Sequence, residues 1–226
     1  NADATRALLE RCRALRTTPR VAFASSVAVF GGALPDRVPD DQVVTPQSSY
    51  GAQKAVCELL VHDYARKGFV DGRSLRLPTV TVRPGKPNKA ASSFASGIIR
   101  EPLAGVEAAC PVDASTRMWL VSPRTVVDSL IAGYEAPASA LPPSHAVNVP
   151  GISVTVGEMV DALRRVAGDA VAGRVVFRHD ETIDRIVRTW PRDFDAKVGR
   201  ALGMRTDASF EAIVRQYVEH DMPKRA

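Results

Sequence analysis

The chain has 226 residues, 45% hydrophobic and 24% charged, with a formal net charge of +5. That length supports one large core or two small ones, and the balance is ordinary for a globular protein. Basic and acidic residues are interspersed, with no basic block or arm, so no nucleic-acid partner is expected; the mild positive charge suits a small anionic substrate. The three cysteines (Cys12, Cys57, Cys110) and four histidines (His62, His145, His179, His220) show no metal-ligand spacing. This pattern predicts free thiols in a reducing, cytoplasmic setting and no metal site. No apolar run reaches about 18 residues, so no membrane partner is expected. The opening Asn-Ala-Asp-Ala-Thr reads neither as a signal peptide nor as a natural translation start.

In chain order, residues 1–16 place Ala4, Leu8, Cys12 and Leu15 among charges, an amphipathic helix that Pro19 stops. Val21–Ala24 is a short apolar run ending in Ser25-Ser26 and reads as a buried parallel strand. Residues 31–46, rich in Gly, Pro and Asp, predict a loop over one edge of a site. Tyr50 to Lys67 is the strongest helical pattern, with Ala52, Val56, Leu59, Leu60 and Tyr64 as its apolar positions and Gly68 as its end. A strand region from Arg73 to Val82 is interrupted by Pro78.

Arg83 to Lys89 reads as a rigid polar loop, and Ser92 to Arg100 as a helix that Pro102 limits. Short strands are expected at Pro111-Val112 and Met118–Val121. Ser122-Pro123-Arg124 opens a helix to about Glu135. A linker over 137–144 leads to a strand at Ala146–Val149. Thr155 and Glu158 match a capping box for a helix to Ala167. A strand at Val175–Phe177 follows, then helices at Ile183–Val187, Asp195–Leu202 and Ser209–His220. Alternating strands and helices predict right-handed βαβ units: an α/β fold with a Rossmann-like parallel sheet. The shorter C-terminal elements predict a smaller mixed α/β lobe across the sheet's carboxyl edge, where ligands bind.

Tyr50 and Lys54 lie four residues apart, on one face of their helix. With Ser26 they offer the hydroxyl, phenol and ammonium needed to move a proton on or off a carbinol oxygen. A Tyr–Lys pair alone is common on surface helices; Ser26 at a strand end and Gly51 beside Tyr50 single this one out. A free phenol, with a pKa of about 10, is a poor base at neutral pH, and an adjacent ammonium stabilises its phenolate. Arg83, Lys86, Asn88 and Lys89 crowd one loop. Arg83 is a candidate for bidentate binding of a carboxylate, and Asn88, Ser92 and Ser93 for hydroxyls. The alternative is a solvated surface loop. Arg124 is a second carboxylate candidate, or simply a helix-start charge. Trp119, Trp190 and Met118 read as packing residues.

These segments together resemble the extended branch of the short-chain dehydrogenase/reductase superfamily, the epimerase/dehydratase type. Ser25 through Gly31 resembles its strand-end Ser/Thr motif followed by an aromatic and Gly. Pro46 through Glu58 resembles its Tyr-x-x-x-Lys helix with the acidic residue after it. Leu75–Val80 resembles the strand before its substrate loop, and Asn1–Thr5 the opening of the helix before the Ser strand. Asn148–Gly151 and Trp190–Asp195 through Leu202-Gly203 resemble later landmarks.

The resemblance implies an NAD-dependent enzyme in which Tyr50 is the acid/base and Lys54 also holds the nicotinamide ribose. It implies that Ser26 stabilises the reacting oxygen; that Asn1 lies near the cofactor and a relay water, or is simply a helix N-terminal residue; and that Ser25 contacts cofactor, the alternative being local hydrogen bonding only. Pro78, Thr79 and Val80 fall where the family's chain passes the nicotinamide carboxamide. The implied division is a nucleotide-binding part over 1–82 and a substrate lobe over 83–226, with segments around 112–149 returning to the first. A homodimer through the helices at 1–16 and 50–67 is likewise implied.

The implied activity is oxidation of the 2-hydroxyl of a small sugar acid. The alternatives are a nucleotide-sugar 4-epimerase or a catalytically silent binding protein on the same fold. Val27 and Ala28 stand where a dehydratase carries its carboxylates, which argues against that chemistry. Family chains open with a βαβ half holding a Gly-x-x-Gly-x-x-Gly loop. Gly31-Gly32 does not follow that spacing, so the chain reads as the later part of such an enzyme.

Overall fold

The computed structural model describes residues 2–15, 17–85 and 90–223. The chain opens with α1 (Ala2–Arg13), β1 (Arg20–Ser26), α2 (Ser49–Arg66) and β2 (Asp71–Leu77). The crossover through α2 makes the strands parallel, in register from Arg20↔Asp71 to Ser26↔Leu77, so both end at one edge. Ser48 caps α2 by accepting from the Gly51 N–H. Gly68 ends the helix at φ +73°, and the Phe69 N–H turns back to the Tyr64 carbonyl.

The inner face of α2 is Gly51, Ala55, Cys57, Glu58 and Val61, and Leu9 of α1 packs with Val61 and Val70. The apolar positions read from the sequence fall differently. Val56 is 48% exposed and Leu59 67%, and they look outward together with Leu8 and Leu15 of the α1 segment.

Pro78 has no N–H to continue the ladder, and β3 (Thr79–Val80) starts beyond it in another sheet. A 3₁₀ turn at Ala91–Ser93 leads into α3 (Phe94–Leu103), which runs one residue past Pro102. The strand expected at Pro111-Val112 is instead β4 (Ala108–Cys110); Pro111, lacking a donor, follows its last residue. Next come β5 (Arg117–Val121), α4 (Pro123–Glu135) capped by Ser122, and β6 (Ala146–Asn148).

The sequence reading missed β7 (Ile152–Thr155) and α6 (Asp169–Ala172). Between them α5 (Val156–Ala167) carries the full Thr155/Glu158 capping box. The chain closes with β8 (Val175–Phe177), α7 (Glu181–Val187), α8 (Lys197–Ala201) and α9 (Phe210–Gln216).

Among the described residues the strands form three sheets. The first is parallel, in the order β1–β2–β6; α2 and α4 pack on it, and α8 packs on β6. In the second, β5 runs parallel to β3 and antiparallel to β7. The third is the parallel pair β4–β8. The largest core lies in the later part of the chain, where Ile98, Ile99, Leu120, Met159, Leu163 and Ile213 are fully buried among α3, β5, α5 and α9. β5 itself pairs with β3 and β7, and α4, which follows it, packs on β1 and β2.

Candidate active site

A cavity of about 680 Å³ lies at the carboxyl ends of β1 and β2 and is lined also by residues from position 83 onward. Its first wall follows from local backbone demands. Ser26 ends β1, and its Oγ accepts the Ala28 N–H at 3.2 Å, capping the 3₁₀ turn Val27–Val29. The start of α2 sits directly on that turn. A Cβ on Gly51 would lie 2.0 Å from the Ala28 carbonyl oxygen, so only glycine permits the approach. Tyr50, the preceding residue, thereby reaches the same cavity as Ser26, with 49% of its surface exposed.

One turn on, Lys54 Nζ donates to the Ala24 carbonyl at 2.6 Å. It lies 4.6 Å from the Phe23 ring centroid and 5.7 Å from that of Tyr50. Burial lowers the Lys54 pKa; nearby Cys57 and Glu58 oppose that shift. The cation is thus held between the end of β1 and the phenol.

Ser25 also borders the cavity, but its hydroxyl is turned away. It is buried and donates to Glu58 Oε1 at 2.5 Å. The Ser25 hydroxyl thus makes the local hydrogen bond that was the alternative to cofactor contact. Pro78, Thr79 and Val80 also line the cavity.

The second wall includes Arg83 and Ser92. The Arg83 backbone is pinned on both sides: its N–H donates to Ser96 Oγ at 3.1 Å, and its carbonyl accepts from Arg100 Nη1 at 2.8 Å. Two expected residues lie elsewhere. Ser93 faces a separate shallow pocket with Gly97 and Glu101, because the 3₁₀ turn points successive side chains apart. Arg124 is exposed on the first turn of α4, away from the cavity. Asn1, Lys86, Asn88 and Lys89 fall outside the described residues.

Sequence reasoning missed Arg117, Ile186 and Pro191 at this wall and read Met118, Trp119 and Trp190 as packing only. Trp119 is indeed packed, 4% exposed, with its ring 5.6 Å from that of Phe194, yet it also borders the cavity. Trp190 packs against the large core and borders the cavity as well. The Trp190-Pro191 landmark was a signal for this wall. Arg117 had none, since its place depends on β5 pairing with β3. Among the described residues no group of three or more His, Cys, Asp or Glu side chains could hold a metal ion. No described helix is long and apolar enough to cross a membrane.

The model of the NAD dependent epimerase/dehydratase family matches residues 1–149, which include Ser26, Tyr50 and Lys54. The chain belongs to this family. It is 58% identical to D-erythronate dehydrogenase of Cupriavidus necator, over 97% of this chain and 68% of that protein. The enzyme of the same name from Haemophilus influenzae is 50% identical, with 97% and 70% covered. Among solved structures, one described as a nucleoside-diphosphate-sugar epimerase from Agrobacterium tumefaciens matches with TM-score 0.92 and 46% identity, over 97% of this chain and 65% of that one. L-threonine 3-dehydrogenase from Trypanosoma brucei matches at TM-score 0.84 and 25% identity, with 98% and 69% covered. The chain thus spans about two thirds of the length of these relatives. The family description names NAD, the cofactor expected from the sequence.

Proposed function

We propose that this chain carries the proton-transfer and substrate-binding parts of an NAD-dependent dehydrogenase that oxidises the 2-hydroxyl of a small sugar acid, D-erythronate in the first place. The observation that carries this reading is one cavity lined by Ser26, Tyr50 and Lys54 together with Arg83 and Arg117. The two relatives named D-erythronate dehydrogenase support the substrate class.

The donor set at the carboxyl edge of the parallel sheet, an ammonium and two hydroxyls, fits the nicotinamide end of NAD. NAD supplies the hydride acceptor. Tyr50 accepts the hydroxyl proton as the carbinol carbon becomes a ketone, and Lys54 stabilises the phenolate that does so. Ser26 donates to the oxygen on which charge changes. Arg83 takes the substrate carboxylate, with Arg117 adding positive charge, and Ser92 takes a hydroxyl. In this reading the β1–β2–β6 sheet and its helices form the cofactor side, and the segments after 83 outside that sheet form the substrate lobe.

The outward-facing Leu8, Leu15, Val56 and Leu59 give the α1 and α2 region an apolar face for a homodimer contact. Three free cysteines suit a reducing cytoplasm. The second reading is a nucleotide-sugar epimerase, favoured by the description of the Agrobacterium structure. Trp190 and Ile186 at the substrate end argue for a smaller ligand.

The test is NADH formation by the full protein carrying this chain, with D-erythronate, L-threonate, L-threonine and a UDP-sugar offered in parallel. D-erythronate turnover that disappears in Tyr50→Phe supports the proposal. Interconversion of the UDP-sugar with no turnover of any acid replaces it with the epimerase reading.

A further inference from the structure

We propose that Ser25, Glu58 and Arg76 form a buried positioning network that sets the placement of Lys54 and Ser26. Each comes from a different element: the penultimate residues of β1 and β2, which are register partners, and the middle of α2. All three are nearly sealed from solvent, at 2%, 6% and 7% exposure. Glu58 Oε1 accepts from Ser25 Oγ at 2.5 Å and from Arg76 Nε at 3.0 Å. Glu58 Oε2 accepts from Arg76 Nη2 at 2.7 Å and from Nε at 3.1 Å. The guanidinium also lies 4.9 Å from the Phe30 ring centroid.

Each member stands immediately behind a part of the cavity wall. Ser25 precedes Ser26, Arg76 precedes Leu77 and Pro78, and Glu58 lies one helical turn beyond Lys54 on the same face. A buried ion pair is weak evidence for stability, because desolvation offsets much of its attraction. What this pair does supply is geometry. Both carboxylate oxygens are occupied, so α2 is fixed in rotation and height against the ends of β1 and β2. Lys54 then meets the Ala24 carbonyl, one residue before Ser25, and lies over Phe23.

The kinetic arm of the test rests on the proposed function; the spectroscopic arm does not. In the full protein, Ser25→Ala removes one hydroxyl and no charge. It is expected to lower kcat on the order of tenfold with little change in substrate KM, and Ser25→Thr to restore it. Independently, the lysines are reductively methylated with ¹³C, and the Lys54 resonance is assigned by its loss in Lys54→Met. The Phe23 ring displaces that resonance upfield. Ser25→Ala and Glu58→Gln are each expected to move it toward the position of a solvated lysine. A Lys54 resonance unmoved in both variants overturns the proposal, whatever happens to Tm or kcat. Absence of turnover in the unsubstituted protein sinks the functional reading alone, and the resonance still decides for or against the network.

Discussion

The two walls of the cavity are built in different ways. The wall carrying Ser26, Tyr50 and Lys54 comes from two short stretches held together by Gly51 seated on the Ala28 carbonyl and by the Lys54–Ala24 and Ser25–Glu58 hydrogen bonds. The rest of the lining draws Arg83, Ser92, Arg117, Ile186 and Trp190 from four separate parts of the chain. A wall made of local segments fixes its geometry through caps and close backbone approaches. A wall made of distant segments depends on the packing of a whole lobe. The first arrangement suits chemistry, which tolerates little displacement; the second suits recognition, where a pocket changes by replacing one contributor.

Substitutions on the two walls should therefore separate in kinetics. The largest effect is expected from Tyr50→Phe: a fall in kcat of about 10²–10⁴-fold, with KM and Tm little changed, since only the proton acceptor is lost. Comparable activity in the variant, in steady-state NADH formation, breaks the assignment of chemistry to this wall. Gly51→Ala comes next. Its methyl must push α2 off the Ala28 carbonyl, at an expected cost of about 1–3 kcal/mol in urea unfolding, with kcat falling as Tyr50 moves. Arg83→Ala is expected to raise the acid's KM about tenfold or more, the loss of a charge-assisted hydrogen bond worth about 1.5–3 kcal/mol, with a smaller effect on kcat. Arg124→Ala is the control: it lies off the cavity, and its KM should match the unsubstituted protein. A raised KM there would mean that the recognition wall extends to α4.

The same contrast explains what the sequence made legible. Ser26, Gly51, Tyr50 and Lys54 stand within two segments whose chemistry and spacing are visible without any tertiary contact. The capping box of Thr155 and Glu158, the Pro78 break and the Gly68 helix end were equally local, and each occurs where the residues imply it. The second wall was half visible. Arg83 and Ser92 lie on it, whereas Ser93 and Arg124 do not: one residue along a 3₁₀ turn changes the direction of a side chain, and Arg124 belongs to α4, which packs on β1 and β2. Arg117 was invisible: its placement follows from β5 pairing across β3 and β7, a long-range register with no local mark. The outward turn of Val56 and Leu59 shows the same limit, since periodicity marks an apolar face without saying what covers it.

The smallest expected effect probes how the second wall is held. Thr155 is the register partner of Arg117, and it caps α5, a helix of the large core. Its N–H meets Glu158 Oε2 at 2.6 Å, and its Oγ1 accepts the Glu158 N–H at 3.1 Å. The Thr155 backbone N–H, more than its hydroxyl, lowers the Glu158 carboxyl pKa; burial opposes the shift. A depressed carboxyl contributes stability above its unfolded value and loses it as pH falls through the folded one. Thr155→Ala should cost about 1 kcal/mol at neutral pH in urea unfolding. The stability gap between the unsubstituted protein and Glu158→Gln should narrow on acidification through the carboxylate range. If α5 only supports the lobe, kcat stays constant in both variants and the acid's KM barely changes. A clear rise in KM with kcat intact would mean that the cap fixes Arg117 across the ladder, making recognition depend on the same kind of local device that fixes the chemistry.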